Sequence, residues 1–175
     1  MIKRIALLIV ALIAGVLIFA TTKPDTFTVQ RATTIKAPPE KVFAVLNDFK
    51  RWPDWSPWER LDPLMKRTIS EPAAGKGATY AWEGNSDAGQ GRMEIIESVP
   101  ASKVGIQLDF IKPFESKNRT EFTLTPQGDT TQVNWKMTGP SLFVTKLMQV
   151  FVSMDSMIGK DFEAGLANLK ALTEK

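Results

Sequence analysis

TTIKAPPEKVFAVLNDFKRWPDWSPW, residues 33–58, packs the end of a strand, a sharp turn and two helix starts into one short stretch. Thr33, Thr34 and Ile35 are β-branched and close an extended segment that begins at Phe27 and runs to Lys36. Ala37-Pro38-Pro39 ends it, because proline fixes φ and offers no N–H to a ladder. Proline at the first helical positions, followed by Glu40, opens a helix in which Val42, Phe43, Val45, Leu46 and Phe49 recur at helical spacing. Asp48 is placed to cap a second short helix that Pro53 ends.

After this segment the apolar period drops to two for about seventy residues. Ala78, Tyr80 and Trp82 alternate with Thr79, Ala81 and Glu83, and Val104, Ile106, Leu108 and Phe110 alternate with Gly105, Gln107 and Asp109. Val133, Trp135 and Met137 repeat the pattern against Asn134 and Lys136. Turn residues separate these runs at Gly84–Gly91, Val99-Pro100, Lys112-Pro113 and Pro126–Asp129, which predicts antiparallel strands with one wet and one dry face. The period then returns to helical. Leu147, Phe151, Met154, Ile158, Phe162, Leu166 and Leu169 predict one long helix from near Gly139-Pro140-Ser141 to Leu172. The expected fold is α+β: a curved antiparallel sheet wrapped around a long C-terminal helix, with two short helices after the first strand.

Outward from this core, the chain begins MIKRIALLIVALIAGVLIFA. Ile5 to Ala20 is uncharged and apolar, and as a helix it spans about 24 Å, short for a bilayer but sufficient with its flanks. No polar face interrupts it. A secretory signal also starts with basic residues and an apolar core, but a cut after Ala20 would put Ile18 at −3, and a cut after Thr22 would put threonine at −1. The stretch therefore reads as a transmembrane anchor, with a cleaved signal peptide as the other reading. Lys3 and Arg4 precede the run and Lys23 follows it, which points to a cytoplasmic N-terminus and a domain on the extracytoplasmic side. The expected organisation is an anchor at 1–22, a linker at 23–26 and one domain at 27–175.

Composition excludes several functions. The formal charge is +3, and Lys3, Arg4 and Lys23 supply all of it, since 19 of the 22 basic residues remain to balance 19 acidic ones. A neutral domain is no partner for phosphate backbones, so nucleic acid is not expected. The chain has no histidine and no cysteine. That removes thiolate nucleophiles, disulfides, Ser-His-Asp arrangements and zinc sites with His or Cys ligands, and neither cofactor nor metal is expected.

The stretch quoted above, together with GPSLF at 139–143 and MDSMIGKDFEAGLANLKALTE at 154–174, resembles the START-like helix-grip superfamily (SRPBCC), in its polyketide cyclase/dehydrase-like branch. The resemblance covers Phe27 to Lys175. It implies a strand, two short helices, six strands and a long helix, with a small hydrophobic or amphipathic molecule held between sheet and helix. The family label names a shape more than a reaction, because its members include carriers, receptors and cyclases.

Candidate site residues follow from both readings. Trp52, Trp55 and Trp58 are three of the five tryptophans and fall within seven residues, where they rim a pocket, plug the open end of the sheet or dip into lipid head groups. Tyr80, Trp82, Phe110, Phe122, Trp135 and Met137 are inward-facing strand positions where a family member lines its cavity. Phe151 and Met154 extend the helix stripe. Asp155 falls on or beside that stripe, where a carboxylate has a raised pKa and anchors a ligand, or is held by a structural hydrogen bond from an indole N–H or an ion pair with a strand Arg or Lys such as Arg92. Arg92 and Arg119 meet an acidic ligand group or sit as solvated strand ends. Gly84–Gly91 lacks the Lys-Ser/Thr of a phosphate cradle and reads as a hairpin loop. Asn118-Arg119-Thr120 matches a glycosylation triplet by pattern alone.

The expected function is a membrane-tethered binding module for a hydrophobic small molecule or lipid, with residues 5–20 in the membrane. The competing readings are a cyclase or hydrolase that uses Asp155 or another carboxylate with Tyr80 as proton carriers, which the lack of histidine weakens, and an interaction domain with a filled core.

Overall fold

A computed structural model describes residues 2–175. The elements are α1 (Ile2–Thr21), β1 (Thr26–Ile35), α2 (Pro39–Leu46), two 3-10 helices (Phe49–Asp54 and Pro57–Arg60), β2 (Lys66–Ile69), β3 (Thr79–Glu83), β4 (Gln90–Val99), β5 (Lys103–Lys112), β6 (Ser116–Gln127), β7 (Thr130–Pro140), α3 (Phe143–Met148) and α4 (Met154–Thr173). The strands form one antiparallel sheet in the order β1-β7-β6-β5-β4-β3-β2. The β4–β5 register shifts at Gln90/Gly91 and Ile95/Glu97, where the regular ladder is interrupted. The expected architecture is present, including both short helical excursions after β1.

Local chemistry explains the excursions. Pro39 opens α2 at a position where its missing N–H costs no hydrogen bond. Asp48 then caps the first 3-10 helix, its carboxylate accepting from the Lys50 N–H at 2.9 Å. Pro53 lies inside that helix and not at its end. Two elements had no signal in the periodicity. β2 is four residues of mostly exposed, charged edge strand, and Pro57–Arg60 is a single 3-10 turn.

The C-terminal region departs from the expected single helix. Strand β7 continues through Gly139 and Pro140, which pair with Phe27 and Thr26 of β1. A short helix, α3, follows, and the chain then turns at Gln149–Ser153 before α4 begins at Met154. Ser153 accounts for the restart, because its hydroxyl accepts from the Ser156 N–H at 3.0 Å and caps α4. Leu147 therefore belongs to α3, and Phe151 sits in the turn with 73% of its surface exposed. The apolar steps of the sequence are spread over two helices, α3 and α4, with an exposed turn between them.

α4 lies along β1 and reaches over β7. Its buried face is Gly159, Phe162, Gly165, Leu166, Leu169 and Thr173, one stripe at three- and four-residue steps. Phe162 stacks on Trp135 with ring centroids 4.1 Å apart and planes 14° from parallel. Gly165 permits this approach, since a Cβ there would stand 2.8 Å from Trp135 Cζ3 and 3.3 Å from Pro57 Cδ. Both neighbours are stiff. Gly165→Ala gains up to about 1 kcal/mol of helix propensity but adds overpacking of roughly 1–3 kcal/mol. A net loss of about 1 kcal/mol or more is expected, read as a lowered midpoint in urea unfolding of the detergent-solubilised protein; an unchanged or raised midpoint would show that α4 can lift without cost.

Candidate functional site

The inner face of the sheet divides into a dry end and a half-covered end. At the dry end Phe49, Trp52, Trp55, Phe122 and Trp135 are buried against one another. Trp135 is the hub, with Phe122 at 4.9 Å, Trp55 at 5.6 Å, Trp58 at 5.6 Å and Phe162 at 4.1 Å between ring centroids. Its indole N–H donates to the Thr120 hydroxyl at 2.8 Å, and that hydroxyl donates to the Lys136 carbonyl at 3.2 Å. Trp52 donates to the Leu46 carbonyl. Trp55 is different: its indole N–H is buried in this aromatic cluster without an acceptor. An orphan donor in an apolar interior costs on the order of 1–3 kcal/mol.

At the other end the inward-facing apolar side chains are half-buried. Trp82, Leu108 and Phe110 occupy β3 and β5, while Trp58, Met154 and Ile158 occupy the second 3-10 helix and the first turns of α4. Trp82 lies flat over Gly91, where a Cβ would come within 2.5 Å of its ring, and meets the Phe110 ring at 5.8 Å. Its N–H donates to the Ala88 carbonyl at 3.0 Å in the β3–β4 loop, which holds the indole in this position. The hairpin loop expected at 84–91 thus acts as a support for Trp82.

Tyr80 is buried, and its hydroxyl donates to Glu59 at 2.5 Å. The other Glu59 oxygen accepts from Arg67 Nε at 2.6 Å. Burial, then the Glu59 carboxylate, pushes the Tyr80 phenol above its ordinary range, so it stays protonated at physiological pH.

Asp155 does not face the core. It lies in the first turn of α4 and accepts two hydrogen bonds from Arg31 of β1, Nη1 at 2.6 Å and Nη2 at 3.0 Å. Arg31 Nε also donates to Glu163 at 2.7 Å. Gly159 lies midway between the two acids, and a Cβ there would stand 2.2 Å from Arg31 Nη2, so the guanidinium crosses the helix where a side chain is missing. The Arg31 hydrogen bonds hold the Asp155 carboxyl below the usual carboxylate range, opposite in direction to the raised pKa expected from a buried position. The cation is Arg31 and not Arg92, which pairs with Asp109, while Arg119 pairs with Glu97.

These placements bear on the chemistry available. Tyr80 on β3 and Asp155 on α4 are engaged with different partners, Glu59 and Arg31, and not with each other. Among the described residues no group of three or more carboxylates gathers to hold a metal ion. Asn118 of the glycosylation triplet is 3% exposed and points inward. The outer face of the sheet carries an open groove of about 720 Å³ lined by Arg92, Gln107, Asp109, Lys117 and Arg119. A second cleft of about 470 Å³ runs between Phe110 and Ile111 of β5 and Pro140 and Leu142.

The family described as "Polyketide cyclase / dehydrase and lipid transport" matches residues 26–174. Solved structures similar to this chain include protein CV1439 from Chromobacterium violaceum, at 18% identity and TM-score 0.59, covering 87% of this chain and 99% of that one. The Aha1 dimer from Colwellia psychrerythraea is similar at 20% identity and TM-score 0.57, covering 85% and 96%. XoxI from Bacillus cereus is similar at 15% identity and TM-score 0.60, covering 83% and 94%. At these identities the likeness is one of fold. A search of curated protein sequences returned no match.

The Arg31–Asp155 pair has a pH signature. The Asp155 carboxyl titrates lower in the folded chain than in the unfolded one, so its contribution to stability is complete above pH ~4 and is lost as pH falls through the folded value. Asp155→Asn should therefore lower the unfolding temperature at pH 7, with the gap to the parent protein closing below about pH 4. Thermal unfolding at a series of pH values measures this, and a gap that persists at low pH would rule out the ion pair as its source.

Proposed function

We propose that this chain, which belongs to the polyketide cyclase/dehydrase and lipid transport family, is a membrane-tethered binding module for a hydrophobic small molecule or lipid. The observation that carries this reading is the half-buried apolar inner wall at the end of the sheet nearest the N-terminal helix. Apolar surface left facing water forgoes about 25 cal/mol per Å², and a ligand laid along Trp82, Phe110, Trp58 and Met154 recovers it. The buried Trp55, Phe122, Trp135 and Tyr80 form the floor beneath it. Phe151 and Asp155 stand at the mouth, the first as an apolar lip and the second as part of the clasp that holds α4.

In the same reading α1 is the anchor. It is twenty residues long with a mean hydropathy of 2.6 and is almost entirely uncovered by the rest of the chain. Residues 1–22 cross the membrane, 23–26 link, and 27–175 form the binding domain, with the N-terminus cytoplasmic and the domain on the extracytoplasmic side by the basic flank at Lys3 and Arg4. Short tethering keeps the pocket at high effective concentration over bilayer-dissolved ligands.

Native mass spectrometry of the detergent-extracted protein should reveal a bound small molecule or lipid, and the stripped protein should take up a fluorescent fatty acid. Trp82→Ala removes one indole from the wall, worth about 1.5–3 kcal/mol, and should weaken uptake roughly tenfold or more. Arg92→Ala, on the outer face, should leave uptake unchanged. No co-purifying molecule together with no uptake by the parent protein would overturn the reading.

A further inference from the structure

The residues Leu142 to Val152 present their polarity the wrong way round for water. The polar side chains of α3 and of the residue after it turn toward the protein: the Lys146 amine, 14% exposed, pairs with the exposed Asp25 carboxylate, and Gln149 donates to the Ser141 hydroxyl at 3.1 Å. The apolar ones turn out, with Phe143 and Val144 each 49% exposed, Phe151 73% and Val152 46%. A surface helix in water buries the apolar stripe and exposes the charged one. Beside this segment, across the cleft lined by Ile111 and Leu142, the tip of the β5–β6 hairpin adds Phe114 at 64% exposure.

The position of this patch identifies what covers it. α3 packs against α1, and the residues of α1 shielded from solvent are Val16 and Ala20, one turn apart at its C-terminal end. Two further ties fix the arrangement: the Ser141 N–H donates to the Asp25 carbonyl at 2.7 Å, and Lys146 Nζ meets Asp25 at 2.5 Å. α3 is thus held level with the last turns of the apolar helix, about 6 Å deep along its axis. Where α1 crosses a bilayer, that level is the boundary between acyl chains and head groups. Lys23 stands at the same boundary, its amine 4.7 Å from the Phe19 ring centroid.

We propose that α3, the turn at 149–153 and the β5–β6 hairpin tip form a bilayer-contact surface that seats the domain in the head-group region, with the half-covered end of the sheet opening onto the leaflet. This rests on the reading of α1 as a membrane span. Phe143, Phe151 and Phe114 dip to the depth typical of interfacial helices, about 5–10 Å, while Lys146 and Gln149 remain on the protein side and the exposed Asp25 carboxylate stays in the head-group layer. The occupant is lipid and not a second protein.

The chain contains no cysteine, so single substitutions give unique labels on the full protein. Val10→Cys, Phe143→Cys, Phe151→Cys and Gly128→Cys, each labelled with an environment-sensitive fluorophore, are reconstituted in phosphatidylcholine/phosphatidylglycerol vesicles with and without brominated acyl chains. Gly128 lies in the β6–β7 hairpin, about 30 Å along β7 from the patch. Quenching by brominated lipid is expected at positions 10, 143 and 151 with a blue-shifted emission, and no quenching at 128, which aqueous iodide reaches instead. Quenching at 10 but not at 143 and 151 would overturn the proposal and leave the anchor intact. Absence of quenching at 10 would remove the anchor reading and the proposal with it. Protection of 143 and 151 from iodide without quenching by lipid would mean that another protein covers the patch, and would also overturn it.

Discussion

Phe162 lying flat on Trp135 joins helix to sheet, and most of the molecule's organisation follows from how closely that contact is made. A helix cannot bring an aromatic ring to 4.1 Å from another on a strand unless its own backbone comes down almost onto the sheet. Gly165 provides that clearance, one turn further along α4, and Pro57 closes the gap from the side. Once Trp135 is fixed between Phe162, Phe122, Trp55 and Trp58, the loop that carries two of those indoles is fixed as well. The tryptophan-rich segment after α2 is therefore a wedge between sheet and helix, and only its last member, Trp58, keeps part of its surface free.

Much of this was legible in the residues. The two periods, two in the middle and helical at both ends, identified the strands and the α+β class, and the proline and aspartate positions located the excursion after β1. What escaped was of two kinds. Short elements without a periodic signature, β2 and the turn at Pro57, have too few residues to show a repeat. The break between α3 and α4 escaped for another reason: Leu147, Phe151 and Met154 keep helical spacing across it, and only the cap at Ser153 marks the restart. Counting apolar steps cannot see a cap that begins a new helix in the same phase.

Asp155 shows the same limit at a single residue. Its spacing from Phe162 and Ile158 put it near the apolar stripe, but Arg31 lies on a strand more than a hundred residues earlier, and nothing local foretold their meeting. The one sequence trace of that contact was Gly159, a glycine inside a helix where alanine would ordinarily be better. Such a glycine asks what passes through the space it leaves. The inner-wall aromatics were readable as inward-facing from alternation, whereas which were sealed and which half-covered depended on how far α4 extends over the sheet.

The Arg31 clasp differs in kind from the aromatic contact beside it: Glu163 directly follows Phe162, and Asp155 lies two turns nearer the start of α4. The middle of α4 is secured by rings excluded from water, its first turns by a guanidinium reaching across a gap to two partly solvated acids. Cooperative strength is therefore graded along one helix, and fluctuations should concentrate at its beginning, where charges can exchange partners with water at small cost. A helix held this way can loosen at its first turn while its middle stays seated on the sheet.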